Sequence, residues 1–223
     1  MSAFDVIVKK DAVHVISDGA GVDAEGRINF IAGKVWPIPH LNAVVAVRGP
    51  SMAGPFIGPT VGSNATSFAE LKANAANIIR SSVCALETMW ADAPLADKID
   101  FVFAGWSETG PEAFIICSHD RWSVPWTNIP IGGLTNIPGD QAIVDALDLS
   151  NLNPERDGVR MLEMKRASSE YFVGCFGQLT SIYRDRTESR VICRWPEDVI
   201  GTKLGIVPAA ASVSREMPAA RVI

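Results

Sequence analysis

A chain of 223 residues with 48% hydrophobic and 20% charged content is long and apolar enough to bury one sizeable core, and a second domain is not required. A formal net charge of −5 without a basic cluster argues against nucleic acid or an anionic membrane surface as the main partner. No apolar run approaches the roughly 18 residues of a membrane helix, and the first residues lack the charged-then-apolar pattern of a secretory signal, so a cytoplasmic protein is expected.

The chain begins with two short apolar runs, Phe4–Val8 and Ala12–Ile16, separated by the polar Lys9-Lys10-Asp11. They predict a β-hairpin whose second strand ends at Ser17-Asp18-Gly19 and returns Asp18 toward the end of the sheet where Ser2 lies. A glycine-containing link from Gly19 to Gly33 precedes Lys34-Val35-Trp36-Pro37-Ile38 and the buried-strand candidate Ala43–Val47, so Lys34 heads a second hairpin that ends at Arg48-Gly49. Gly54, Gly58 and Gly62, interleaved with Pro55 and Pro59, predict a loop and make no phosphate-binding motif. Ser67-Phe68-Ala69-Glu70 is a capping-box pattern, and apolar residues at helical intervals follow it as far as Trp90. Ile99–Gly105 and Ala113–Cys117, joined by a turn at Glu108-Thr109-Gly110, predict a central hairpin. A short extended stretch ends at Ile131-Gly132-Gly133, a helix is expected from Asp140 to Leu147, another from Gly158 to Ser168, and a closing hairpin from residues 178–183 and 189–194.

Strand pairs alternating with helix pairs, without regular βαβ repeats, argue against a parallel doubly wound sheet and for layered antiparallel sheets. The α+β class is therefore expected, with residues 2–200 as one domain. Residues 201–223, rich in Ala, Pro and Ser, are expected to form a tail on the surface or on a neighbouring subunit, with Trp195 anchoring the end of the last strand.

Ser2, Asp18 and Lys34 are sixteen residues apart in each step. If Met1 is removed, Ser2 carries both a hydroxyl nucleophile and an α-amine whose pKa of about 7.7 to 8.0 suits a general base near neutrality. Taken singly, each residue has an ordinary structural reading: Asp18-Gly19 as a strand-end turn, Lys34 as a solvated strand residue, Ser2 as an unremarkable second residue. The catalytic reading rests on their combination.

The segment from Ser2 to Gly49 resembles the start of a proteasome β subunit, or of the peptidase subunit of the bacterial ATP-dependent protease, within the N-terminal nucleophile hydrolases. The resemblance implies a four-layer αββα sandwich of two antiparallel sheets flanked by helices. It places Ser2 as the nucleophile, Asp18 and Lys34 as the catalytic Asp and Lys, and the Gly49 N–H as the oxyanion donor. It further implies cleavage of amide bonds, with peptides as the expected substrates, without metal or organic cofactor. A ring-shaped homo-oligomer with inward-facing sites is part of the same implication, and an ATPase partner is compatible with it. A lysine ammonium beside Ser2 would lower the hydroxyl's effective pKa and disfavour protonation of the amine, and one oxyanion donor is worth roughly 2.7–4 kcal/mol of barrier. The family's late Asp and Ser, which support the terminal amine, find no clean match around Ser168-Ser169-Glu170 or Gly174-Cys175-Phe176-Gly177. A small-molecule amidase on the same fold and a non-catalytic assembly subunit are the alternatives.

Cys84, Cys117, Cys175 and Cys193 are too dispersed for a metal-binding pair and are expected to be reduced thiols. His14, His40 and His119 suggest no nucleophile–base pairing. Ser118-His119-Asp120 places three triad-type residues side by side, but neighbours on a strand or turn point in different directions, so a turn is expected there.

Overall fold

The structure is a computed structural model and describes residues 3–50, 53–89, 99–120, 124–168 and 171–204. The chain opens on strands β1 (Phe4–Val8) and β2 (Val13–Asp18), continues through β3 (Ala20–Val22) and β4 (Ile28–Ile31), and then forms β5 (Val35–Ile38) and β6 (Ala43–Arg48). Helices α1 (Ala53–Gly62) and α2 (Phe68–Met89) follow, then β7 (Asp100–Ser107), β8 (Gly110–Cys117), β9 (Ile129–Ile131) and β10 (Leu134–Ile137). Helices α3 (Gln141–Asp145) and α4 (Pro154–Ala167) precede the closing hairpin of β11 (Phe176–Ile182) and β12 (Thr187–Arg194). The strands form three antiparallel sheets, ordered β10-β1-β2-β11-β12, β5-β6-β7-β8-β9 and β3-β4. The fold class is α+β.

Strand periodicity distributes the apolar residues among distinct packing surfaces. Val6, Val13 and Val15 pack with Val44, Ala46, Val102, Ala104 and Ile115 in one cluster that joins the two five-stranded sheets. The alternate residues Val45, Val47, Phe101, Phe103 and Phe114 pack instead with Ile57 and Val61 of α1 and Leu71, Ile79 and Val83 of α2. Ile7, Ile16, Leu179 and Ile192 pack with Met161 and Leu162 of α4. Because both faces of β1, β2 and β6 are covered, these strands read as continuous apolar runs rather than polar–apolar alternation.

The predicted loop over Gly54–Gly62 is a helix instead. Its glycines recur every fourth residue and so share one face. A Cβ at Gly54 would lie 2.0 Å from Trp36 Cη2, and one at Gly58 would lie 3.0 Å from Trp36 Cβ. The glycines thus let α1 lie close against Trp36 of β5; Pro55 falls in its first turn, where the missing N–H costs least. Helix α2 starts where predicted, with a variation: Ser67 Oγ accepts the Glu70 N–H at 3.1 Å, while Glu70 Oε2 accepts the N–H of Thr66 at 2.8 Å rather than that of Ser67. Trp90 lies outside the described residues. Helix α4 begins before the predicted Gly158, because Asn153 Oδ1 caps the N–H groups of Glu155 and Arg156 at 3.0 and 2.9 Å and Pro154 starts the first turn.

Gly201 N–H donates to Ile28 carbonyl at 2.7 Å and Leu204 N–H to Gly26 carbonyl at 3.0 Å, which ties residues 201–204 to the β3–β4 hairpin. Residues 205–223 of the expected tail lie outside the described residues. Among the described residues, no helix is long and apolar enough to cross a membrane.

His14 faces Ser181 across the β2–β11 ladder, with Nδ1 and Oγ 2.8 Å apart. Burial is the largest influence on it and lowers its pKa from 6.5 to about 4, with Lys9 acting in the same direction and Asp11 against. Between those values the unfolded chain binds the proton that the fold refuses, so stability present above pH 6.5 is lost as pH falls toward about 4. His14→Gln is expected to flatten the slope of unfolding free energy against pH within that window, as read from urea denaturation.

Candidate active site

Asp18 ends β2, and its carboxylate is fully buried. Oδ1 accepts Lys34 Nζ at 2.6 Å and receives a longer contact, 3.5 Å, from the Ala3 N–H. Oδ2 accepts the N–H groups of Ala20 at 3.0 Å and Gly174 at 3.3 Å. The carboxylate is thus held by a cation and by backbone from three places in the chain.

Lys34 arrives beside Asp18 because the intervening β3–β4 hairpin leads the chain out and back. Ala20 pairs with Ile31 in that hairpin, and the Ala32 N–H donates to the Gly19 carbonyl at 3.0 Å, two residues before Lys34. The sixteen-residue interval from Asp18 to Lys34 is therefore the length of a closed hairpin. Lys34 is 5% exposed. Burial lowers its pKa from the ordinary 10.5, and the charge of Asp18 opposes that effect.

Gly49 follows β6, and Val35 pairs with Ala46, so Gly49 and Lys34 lie at the same end of the β5–β6 hairpin. Its φ of +152° is one that side-chain-bearing residues rarely adopt, and an added Cβ would lie 3.1 Å from Ile99 Cγ1. Ser2 lies outside the described residues. The described chain begins at Ala3, whose N–H faces Asp18.

Two groups beside the pair escaped sequence reasoning. Gly174 donates to Asp18, and Cys175 adopts the left-handed φ of +67°. The Cys175 thiol is pushed up to about 11, first by burial and then by the charges of Asp198 and Asp18, with Lys34 acting the other way. Behind it, Arg166 grips Asp198 with two bonds of 2.6 and 2.8 Å and donates to the Val173 carbonyl at 2.9 Å. Asp198 Oδ2 accepts the Cys175 N–H at 2.7 Å. Trp195 closes this corner: it is buried, its N–H bonds the Cys175 carbonyl at 3.0 Å, and the Arg166 guanidinium lies 4.9 Å from its ring centre. The partners of the 173–175 turn are so distant in sequence that no local motif marks them.

Of the late stretch read from the sequence, Ser168 caps the C-terminus of α4, and Ser169 and Glu170 lie outside the described residues. Ser118, His119 and Asp120 do not assemble with one another: His119 Nε2 bonds Asp100 Oδ1 at 2.7 Å, Ser118 Oγ accepts the Ile99 N–H at 2.9 Å, and Asp120 is exposed. Cys84, Cys117 and Cys175 are free thiols, Cys117 and Cys175 buried and Cys84 exposed.

The fold is similar to that of solved Anbu structures. Solved structures similar to it include an Anbu (Gly-1) mutant from Hyphomicrobium sp. strain MC1, at 14% identity and a TM-score of 0.62, covering 86% of this chain and 88% of that one. Anbu from the same strain matches at 15% identity and a TM-score of 0.60, covering 86% and 87%. Anbu (ancestral β-subunit) from Yersinia bercovieri matches at 13% identity and a TM-score of 0.62, again covering 86% and 87%. At such identities the likeness shows the fold alone. No protein-family model matches the chain, and no curated protein does.

These neighbours correct the sequence-based likeness to the peptidase subunit of the bacterial ATP-dependent protease. That likeness rested on the first two hairpins and their spacing. A closed hairpin between Asp18 and Lys34 sets that interval, so the interval alone does not identify a family.

Proposed function

We propose that this chain is an N-terminal serine hydrolase that cleaves amide bonds, those of peptides. The observation that carries the reading is the buried 2.6 Å Lys34–Asp18 pair placed against the N–H of Ala3, the residue that follows Ser2. Ser2 Oγ, exposed as a terminal residue by loss of Met1, attacks the substrate carbonyl carbon while its α-amine takes the hydroxyl proton. The amine returns that proton to the leaving nitrogen, and water then releases the acyl group from Ser2. Lys34 favours the alkoxide and keeps the amine unprotonated, Asp18 holds Lys34 in place, and the Gly49 N–H binds the oxyanion.

The three apolar clusters support a four-layer αββα arrangement of the domain: α1 and α2, the two five-stranded sheets, then α4. The assembly that goes with this reading is a homo-oligomeric ring with enclosed sites, with or without an ATPase partner.

Intact-mass measurement combined with a peptide epoxyketone or β-lactone tests the proposal. The expected result is a chain lacking Met1 and carrying one adduct on Ser2, with none on the Ser2→Ala variant. An adduct on a cysteine, or one that survives Ser2→Ala, overturns it. Retention of Met1 selects the non-catalytic subunit instead, and turnover of small amides without degradation of unfolded casein selects the amidase.

A further inference from the structure

Asp100, Cys117 and His119 form a buried cluster that takes no part in the chemistry proposed above. Asp100 is paired with Cys117 across β7–β8 and with Arg48 across β6–β7. Strand alternation therefore puts Arg48, Asp100 and Cys117 on one face, the face that Ala46, Val102 and Ile115 turn toward the other five-stranded sheet. His119 lies two residues beyond Cys117. All four are buried, with exposures of 2% for Arg48, 0% for Asp100, 2% for Cys117 and 8% for His119. One sulfur, one imidazole nitrogen and one carboxylate oxygen from the last three lie within 4.8 Å of one another.

The alternative is a purely structural hub in which Asp100 holds Arg48 and His119 by charge and hydrogen bonding. His119 Nε2 is indeed 2.7 Å from Asp100 Oδ1, and Arg48 Nε is 2.6 Å from Oδ2. The second contact is not aligned as a hydrogen bond, however, and Oδ2 and all three guanidinium nitrogens are buried without a hydrogen-bond partner. The Cys117 thiol also bonds the Asp100 carboxylate, so the three groups already converge on one point, and a buried guanidinium left without hydrogen bonds beside them is costly and rare in native interiors. Sulfur, imidazole and carboxylate together are the donor set of a four-coordinate, borderline-soft ion.

We propose that Asp100, Cys117 and His119 bind a zinc ion, with solvent in the fourth position and Arg48 facing the outer carboxylate oxygen. Loading replaces the Cys117 S–H bond by a sulfur–zinc bond and releases that proton to solvent. The ion then clamps the ends of β7 and β8 beside the end of β6, from which Gly49 projects.

The test uses the full chain, stripped with a chelator and checked for native folding by circular dichroism. Zinc titration under native mass spectrometry is expected to give one ion per chain. Cobalt(II) at the same site is expected to give a near-ultraviolet thiolate-to-cobalt band. Cys117→Ser should abolish that band, and His119→Gln should weaken zinc binding at least ~10-fold. Cys84→Ser, Cys193→Ser and Ser2→Ala should leave both readouts unchanged, so this inference stands or falls separately from the hydrolase reading. Absence of stoichiometric zinc on the folded wild-type chain, or a cobalt complex without a thiolate band, overturns the proposal without recourse to any variant. A band that survives Cys117→Ser does the same.

Discussion

Lys34→Ala is expected to lower amide turnover by roughly 10²–10⁴-fold, the range spanned by positioned proton-transfer groups, and to suppress Ser2 labelling by a peptide epoxyketone. The fold should survive the change. Asp18 keeps the N–H groups of Ala20 and Gly174 when the ammonium is lost, so its charge stays hydrogen-bonded. Lys34→Arg is expected to fail almost as badly. The 2.6 Å contact seats a compact ammonium in a site 5% exposed, and a bulkier planar guanidinium does not fit that seat. Steady-state kinetics with a small fluorogenic amide, alongside circular dichroism of each variant, decides the matter. Near-wild-type turnover by either variant would sink the catalytic assignment of Lys34 while leaving the fold untouched.

The parts of the molecule legible in sequence are those whose physics is local. Both opening hairpins, the central hairpin and the closing one follow from short apolar runs broken by turn residues, and α2 announces itself through Ser67 and Glu70. The Asp18–Lys34 pairing was legible as an interval, but its cause was not. Ala20-Gly21-Val22 is too short and too glycine-containing to read as a strand, yet the β3–β4 hairpin it begins is what delivers Lys34 to Asp18. Helix α1 was missed for the complementary reason. Glycine and proline normally break helices, and only the proximity of Trp36 makes a glycine-lined face useful. The corner behind the site depended entirely on distant partners: Asp18 meets Gly174 over 156 positions and Asp198 meets Cys175 over 23, separations that no window along the chain can detect. Asp100 and His119 likewise meet across 19 positions, which hid the Asp100–Cys117–His119 cluster behind an adjacent Ser-His-Asp run that does nothing as a unit.

The largest loss of stability is expected at Lys165→Met. Lys165 and Asp5 are both fully buried, with Nζ 2.7 Å from Asp5 Oδ1 and 3.2 Å from the Phe4 carbonyl. Burial raises the pKa of Asp5 from 3.8 against the opposing charge of Lys165, and Oδ2 has no hydrogen-bond partner. The carboxylate therefore depends on one ammonium. Removing one partner of such a pair costs about 3–5 kcal/mol, whereas replacing both by apolar groups of similar volume is often neutral or stabilising. Urea denaturation should accordingly rank Lys165→Met far below wild type and the double variant Asp5→Leu, Lys165→Met well above the single one; equal losses in both would mean that packing volume, not charge pairing, governs the position. The pair also links α4 to the strand that begins two residues after Ser2. Where the double variant regains stability, Ser2 labelling reports whether packing alone keeps β1 in place or whether the Lys165 bond to the Phe4 carbonyl is needed to present the nucleophile.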